Sequence, residues 1–211
     1  MVTSALTVEQ IVQRLSGTEI VAEPGRRALH GLPADLIEAW FPQPLREAGV
    51  LIPLMQRDDG LHVLFTRRTE SLPDHAGQIS FPGGRKEPED MTLEHTAIRE
   101  TDEEIGLGPE LIDVIGYLQP HPVITGYVVV PTVGLVTPPA SFTAEEREVA
   151  EIFEVPLSHL LDPACHHEHI RYRSGVALKT DEFHYVSPEG GEYRIWGATA
   201  HMLKSFLILI S

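Results

Sequence analysis

Residues 99–107 read R-E-T-D-E-E-I-G-L, which on a helix of 3.6 residues per turn places Glu100, Glu103 and Glu104 within about 100° of arc. Ile98 and Ile105 point the other way. The spacing predicts a helix over residues 92–105, stopped by Gly106 at a C′ position. Such an element restricts its surroundings: the apolar side is anchored in a core, toward a sheet, and the other side presents a cluster of carboxylates. Like charges at this spacing cost roughly a few tenths of a kcal/mol per pair. Glu103 and Glu104 also sit at the negative end of the helix dipole. One outcome is a solvated acidic face. The other is a divalent cation with a preference for oxygen ligands, and Mg²⁺ or Mn²⁺ suits such a set.

Strand-like runs flank this helix on both sides. Residues 50–55 and 61–65 are joined by Arg57-Asp58-Asp59-Gly60, whose Asp-Gly step suits a tight hairpin turn. Beyond the helix come runs at 114–118, 127–136 and 152–155, a short helix at 157–161, and a hairpin of 183–186 with 193–196 turned at Pro188-Glu189-Gly190-Gly191. Residues 7–15 have the spacing of an amphipathic helix. A helix and loops are expected over 23–44, and a last helix over about 199–210 with its apolar end buried. Trp196-Gly197 is read as a packing corner before that helix. Hairpins around one central helix point to a mixed α/β (α+β) domain with helices packed on the sheet. At 211 residues the chain suits one domain, with an N-terminal helical segment over 1–46 and a core over 47–211.

Sixteen Lys and Arg against 31 Asp and Glu give a formal charge of −15, which argues against a general nucleic-acid binder and requires cations to screen any phosphate substrate. No run is long enough to span a membrane, and the N-terminus lacks the pattern of a signal peptide. With Cys165 as the single cysteine, a reducing, cytoplasmic setting is expected. Cys165-His166-His167-Glu168-His169 lacks a second distant ligand pair for zinc and is read as an exposed loop.

Upstream of the helix, Gly83-Gly84 follows a strand-like segment, where two glycines let the backbone turn and approach a ligand closely. Together, Gly84, Arg99-Glu100 and Glu103-Glu104-Ile105-Gly106-Leu107 resemble the Nudix box, G-x5-E-x7-R-E-U-x-E-E-x-G-U. Asp90 stands where the box has Glu, eight residues rather than seven separate it from Arg99, and Thr101 holds a position usually aliphatic. These departures are similar to the CoA-pyrophosphatase-like branch of that superfamily. So are Leu64-Phe65-Thr66-Arg67-Arg68 and the run from His75-Ala76-Gly77-Gln78 to Phe81-Pro82-Gly83-Gly84, although Pro73 replaces a basic residue usual there.

The resemblance implies a Nudix-type α/β/α sandwich with a mixed, curved β-sheet and a central loop-helix-loop catalytic motif. It implies hydrolysis of a diphosphate linked to a second moiety, with no membrane partner and with a homodimer left open. For coenzyme A the products would be 4′-phosphopantetheine and adenosine 3′,5′-bisphosphate. The expected metal ligands are Glu100, Glu104, Glu103 and the Gly83 carbonyl. Glu103 and Glu148 are the candidates for general base, and Arg99 is expected to orient a glutamate. Arg67, Arg68, His75 and Gln78 are the expected substrate-binding residues; Arg67 and Arg68 fall on opposite faces of an extended strand, so one of the two reaches the phosphates. Alternatives are another nucleoside diphosphate derivative (NADH, ADP-ribose or a dinucleoside polyphosphate) and a non-catalytic nucleotide-binding module.

Overall fold

A computed structural model of the chain describes residues 6–71, 75–137, 141–173 and 176–211; Pro73 lies outside them. The N-terminal part forms α1 (Val8–Leu15), α2 (Pro24–Leu29) and α3 (Ala34–Trp40). Then come β1 (Arg46–Arg57), β2 (Gly60–Arg68), β3 (Ile79–Ser80), β4 (Gly83–Arg85), α4 (Leu93–Ile105), β5 (Ile112–Tyr117), β6 (His121–Val123), β7 (Tyr127–Val136) and β8 (Val149–Pro156). The chain ends with α5 (Leu157–Leu160), β9 (His166–Arg173), β10 (Val176–Val186), β11 (Glu192–Trp196) and α6 (Gly197–Ile210).

The first eight strands make one mixed sheet, in which β1 runs parallel to β7 from Arg46↔Tyr127 to Met55↔Val136 while the other pairings are antiparallel. Both central strands are near-continuous apolar runs, as expected where a strand is covered on both faces. Each contains a proline, and each proline falls in a gap between partners. Pro53 lies between the stretches of β1 that pair with β4 and β2, and Pro131 between those of β7 that pair with β6 and β5. A missing N–H there interrupts no ladder on that side.

Alternation along β1 divides the core. Leu51 and Met55 pack with Leu64, Ala97 and Ile105 beneath α4. Ala48, Ile52 and Leu54 face the opposite side, with Ile11 and Leu15 of α1 and Leu203 and Phe206 of α6. The sheet therefore lies between helices on both faces, an α/β/α sandwich. Contact with α4 is closest at Gly49, where an added Cβ would lie 2.2 Å from the Leu93 carbonyl oxygen. Only glycine lets the helix backbone rest this near the strand.

Helix α4 begins at Thr92, whose hydroxyl caps the His95 N–H, and ends at Gly106 in the left-handed region. Its buried face differs from the expected one. Ile98 is only part-buried, and the core side is made by Leu93, Thr96, Ala97, Thr101, Glu104 and Ile105. Thr101 is tolerated there because its hydroxyl donates to the Ala97 carbonyl at 2.6 Å.

The segment from Cys165 to His169 corrects a reading. It is not an exposed loop: Cys165 is buried and the histidines open β9, an edge strand of a three-stranded sheet β11-β10-β9. Its alternation puts His166 and Glu168 beside Phe183 and Asp181 of β10, toward α6. The hairpin strand expected over 183–186 is longer than that and begins at Val176, running to Val186. Trp196, expected as a packing corner, is 39 % exposed beside Arg194. Among the described residues no helix is long and apolar enough to cross a membrane.

Candidate active site

Strand β4 and helix α4 both lie on β1, so Gly83-Gly84 and the glutamates are brought together by one strand. The Gly83 N–H donates to Glu104 Oε2 at 3.2 Å. A Cβ at Gly84 would lie 2.4 Å from Glu100 Cδ, so that carboxylate rests directly on the glycine. Gly83 itself, at φ 146°, lies against the Gly49 carbonyl oxygen with no room for a side chain.

The three glutamates have different surroundings. The Glu104 side chain is 6 % exposed, that of Glu100 18 %, and that of Glu103 60 %. Burial pushes Glu104 up to about 8, against the Gly83 N–H and the nearby charge of Arg68. Burial also raises Glu100, partly offset by Arg99. The charge of Glu148 acts on both. A buried carboxylate and a part-buried one, side by side against the Gly83–Gly84 backbone, fit a divalent cation, since the donor set is all oxygen. Glu103 turns outward, and Arg99 Nη1 donates to it at 3.0 Å.

Arg99 is fully engaged. Its Nε and Nη2 grip Asp90 at 3.0 Å each, and Nη2 also reaches Glu100 Oε1 and the Arg85 carbonyl. The Arg99 guanidinium, the Glu87 N–H and the Thr96 hydroxyl hold the Asp90 carboxyl well below the usual range. Asp90 enters the sequence reading only as a departure from a motif, yet its buried carboxylate anchors the arginine that steadies Glu100 and Glu103. The acid six positions after Gly84 was the available signal. Met91, between Asp90 and the helix cap, is 82 % exposed, so the longer spacer disturbs no buried packing.

Glu148 is exposed on a loop fixed at two points. The Glu145 and Thr143 N–H groups donate to the Glu104 and Ile105 carbonyls that the helix end leaves unpaired. The Thr69 N–H donates to the Glu148 carbonyl at 3.0 Å.

Arg67 and Arg68 do fall on opposite faces. Arg67 pairs with Glu151 and lies over the Tyr193 ring, away from the glutamates, whereas Arg68 Nη1 stands 3.8 Å from Glu104 Oε1. His75, at φ 60°, and Gln78 bond to each other at 2.9 Å in the loop before β3.

Among the described residues, one trio of His, Cys, Asp or Glu has ligand atoms within 4.8 Å of one another, and it is His166, Glu168 and Asp181, away from α4. Lys204 already supplies its positive charge, donating to Glu168 at 2.8 Å and Asp181 at 2.7 Å. That set pins α6 to the second sheet.

Similarity to known proteins agrees with this geometry. A model of the NUDIX domain matches residues 45–174. A protein described as an uncharacterized Nudix hydrolase, NudL, from Citrobacter koseri is 40% identical over 166 residues, 78% of this chain and 83% of the relative. A NudL of Cronobacter sakazakii is 37% identical over the same shares of the two chains. A crystal structure of a MutT/nudix family protein from Enterococcus faecalis has a TM-score of 0.51 and 16% identity, covering 91% of this chain and 76% of that one, a likeness of fold alone.

Proposed function

This chain belongs to the Nudix family, and from that premise we propose that it is a metal-dependent pyrophosphohydrolase acting on coenzyme A or a CoA derivative. It is a Nudix hydrolase, an enzyme of phosphorus-containing anhydrides. The observation that carries the catalytic reading is the buried Glu104 carboxylate under the Gly83 N–H, with Glu100 seated on Gly84 beside it. Support for CoA comes from the run between Leu64 and Gly84 and its likeness to the CoA-pyrophosphatase-like branch.

Glu100 and Glu104, with the Gly83 carbonyl, would hold Mg²⁺ or Mn²⁺. When bound, the ion neutralises diphosphate oxygens and acidifies water at neutral pH. Arg99 is a positioning residue: its nitrogens are committed to Asp90, Glu100, Glu103 and the Arg85 carbonyl. That commitment also restrains Glu103, so of the two candidate bases Glu148 is favoured. It is exposed, and its charge acts on both Glu100 and Glu104. Of the two expected phosphate-binding arginines we favour Arg68, whose Nη1 stands 3.8 Å from Glu104, over Arg67, which pairs with Glu151.

The test is a panel of CoA, ADP-ribose, NADH and a dinucleoside polyphosphate with Mg²⁺ or Mn²⁺, with products identified. Release of 4′-phosphopantetheine and adenosine 3′,5′-bisphosphate from CoA, with little action on ADP-ribose, supports the proposal. Preference for another member of the panel moves the substrate assignment, and no product from any of them leaves a binding module.

A further inference from the structure

Two arginines border the glutamates, and they are held in opposite ways. Arg99 makes a hydrogen bond from every guanidinium nitrogen. In Arg68 the Nε is buried with no hydrogen-bond partner among the described residues, and Nη1 stands 3.8 Å from Glu104 Oε1, beyond hydrogen-bond distance. A buried donor left unpaired is uncommon and costs free energy, so it calls for a reason. The Arg68 backbone is firmly placed, its N–H donating to Gln78 O at 2.9 Å, next to a β-bulge at Arg67/Arg68 in the pairing with β8. The side chain is thus anchored at its base, with charge attraction and no hydrogen bond tying its head to Glu104.

We propose that Arg68 is the internal counter-ion of the metal-free site, displaced from Glu104 by the divalent cation and thereby released to grip the diphosphate. The inference rests on the metal reading above and deepens it. Among the described residues, the basic side chain nearest to pairing with Glu104 is Arg68, at 3.8 Å. With a divalent cation held there, Glu104 would no longer need Arg68 as its counter-charge, and the guanidinium would be repelled from it. Arg68 then has its unpaired Nε–H and its terminal N–H groups to offer a phosphate in the planar, two-pronged geometry that arginine provides. Arg99 cannot serve this way, because moving it would unpair the buried Asp90. The consequence is coupling: metal binding prepares the diphosphate site, and the order of binding is metal first.

The experiment is a Mn²⁺ titration of the full chain, read by the electron paramagnetic resonance signal of free Mn²⁺, without nucleotide. All variants are titrated at the same fixed pH and ionic strength. Arg68→Met should bind Mn²⁺ more tightly, on the order of tenfold, because a competing positive charge has gone. Arg68→Lys, which keeps the charge, should stay near the parent protein, and Lys179→Met, which removes an exposed charge elsewhere, should change nothing. Binding of α,β-methylene-ADP should then fall in Arg68→Met with Mn²⁺ present and hardly change without it. Unchanged or weaker Mn²⁺ affinity in Arg68→Met, with its melting temperature intact, overturns the proposal, as does an equal loss of analogue binding with and without Mn²⁺. Arg68→Gln gives the same comparison if the Met variant does not fold. These readouts need no turnover, so they stand if the CoA assignment fails; absence of any Mn²⁺ binding by the parent chain removes the metal reading and this one with it.

Discussion

Gly84→Ala isolates the seat of Glu100 from the stability of the fold. The new methyl carbon would lie 2.4 Å from Glu100 Cδ and Oε2, where ordinary contact begins at 3.4 Å. The carboxylate must therefore retreat by about 1 Å to restore normal packing. Retreat is cheap, since the obstructing atoms are the end of a flexible side chain and Gly84 does not use a positive φ. Stability should change by no more than about 1 kcal/mol, the side-chain rearrangement being offset by the reduced freedom of the unfolded chain. Activity should fall much further, by about 10²-fold, because a catalytic group displaced by this distance no longer holds its ligand in reacting geometry. Steady-state hydrolysis, Mn²⁺ affinity and thermal melting of the same preparation measure the three quantities. Gly49→Ala is the contrasting control: its Cβ meets the Leu93 carbonyl oxygen at 2.2 Å and the Ala97 nitrogen at 3.0 Å, both backbone atoms. Helix α4 would have to lift from β1, at about 3 kcal/mol. A Gly84→Ala protein with parental kcat/KM and Mn²⁺ affinity would refute the seating of Glu100 on Gly84.

Glu104→Gln should abolish most turnover, by about 10²-fold or more, and leave the melting temperature level or higher, since it removes a metal ligand and a poorly compensated buried charge; near-normal rates would rule out its role as ligand. Asp90→Asn should destabilise by about 2 kcal/mol in urea unfolding, because Arg99 loses its two-pronged partner, and a loss under 0.5 kcal/mol (on the scale of ordinary surface substitutions, roughly) would count against the anchor. His121 is driven down to about 3 by burial, with His201 stacked against it at 4.3 Å. Between its ordinary value of 6.5 and about 3 the unfolded chain takes up a proton that the folded chain refuses, so stability is full above that window and declines as pH falls through it. From pH 7 to 5 the loss should reach about 1–2 kcal/mol, and His121→Phe should flatten that limb of the urea midpoint against pH. His169→Ala, at an exposed β9 position, should leave both rates and melting unchanged.

Much of this molecule was settled by local rules. The helix that carries the glutamates starts at a threonine cap and stops at a left-handed glycine, both signals that depend on a few neighbouring residues. The hairpins at Asp59-Gly60 and around Gly190 are equally local, and the spacing of Arg99, Glu100, Glu103 and Glu104 places them on one helix by arithmetic. Sequence periodicity could not reveal how deep each glutamate lies. Glu104 is buried and Glu103 exposed because β1, β4 and the loop bearing Glu148 come at α4 from different parts of the chain. For the same reason the partnerships that define the site were invisible beforehand: Asp90 with Arg99, Arg68 with Glu104, Glu100 with the bare face of Gly84. Likewise, the histidines after Cys165 looked like a loop because nothing nearby in the chain says that Asp181 and Lys204 await them across a sheet. Capping, turns and periodicity act over a few residues and can be read along the chain, whereas burial and charge compensation are set by whatever distant segments the packed sheet brings alongside.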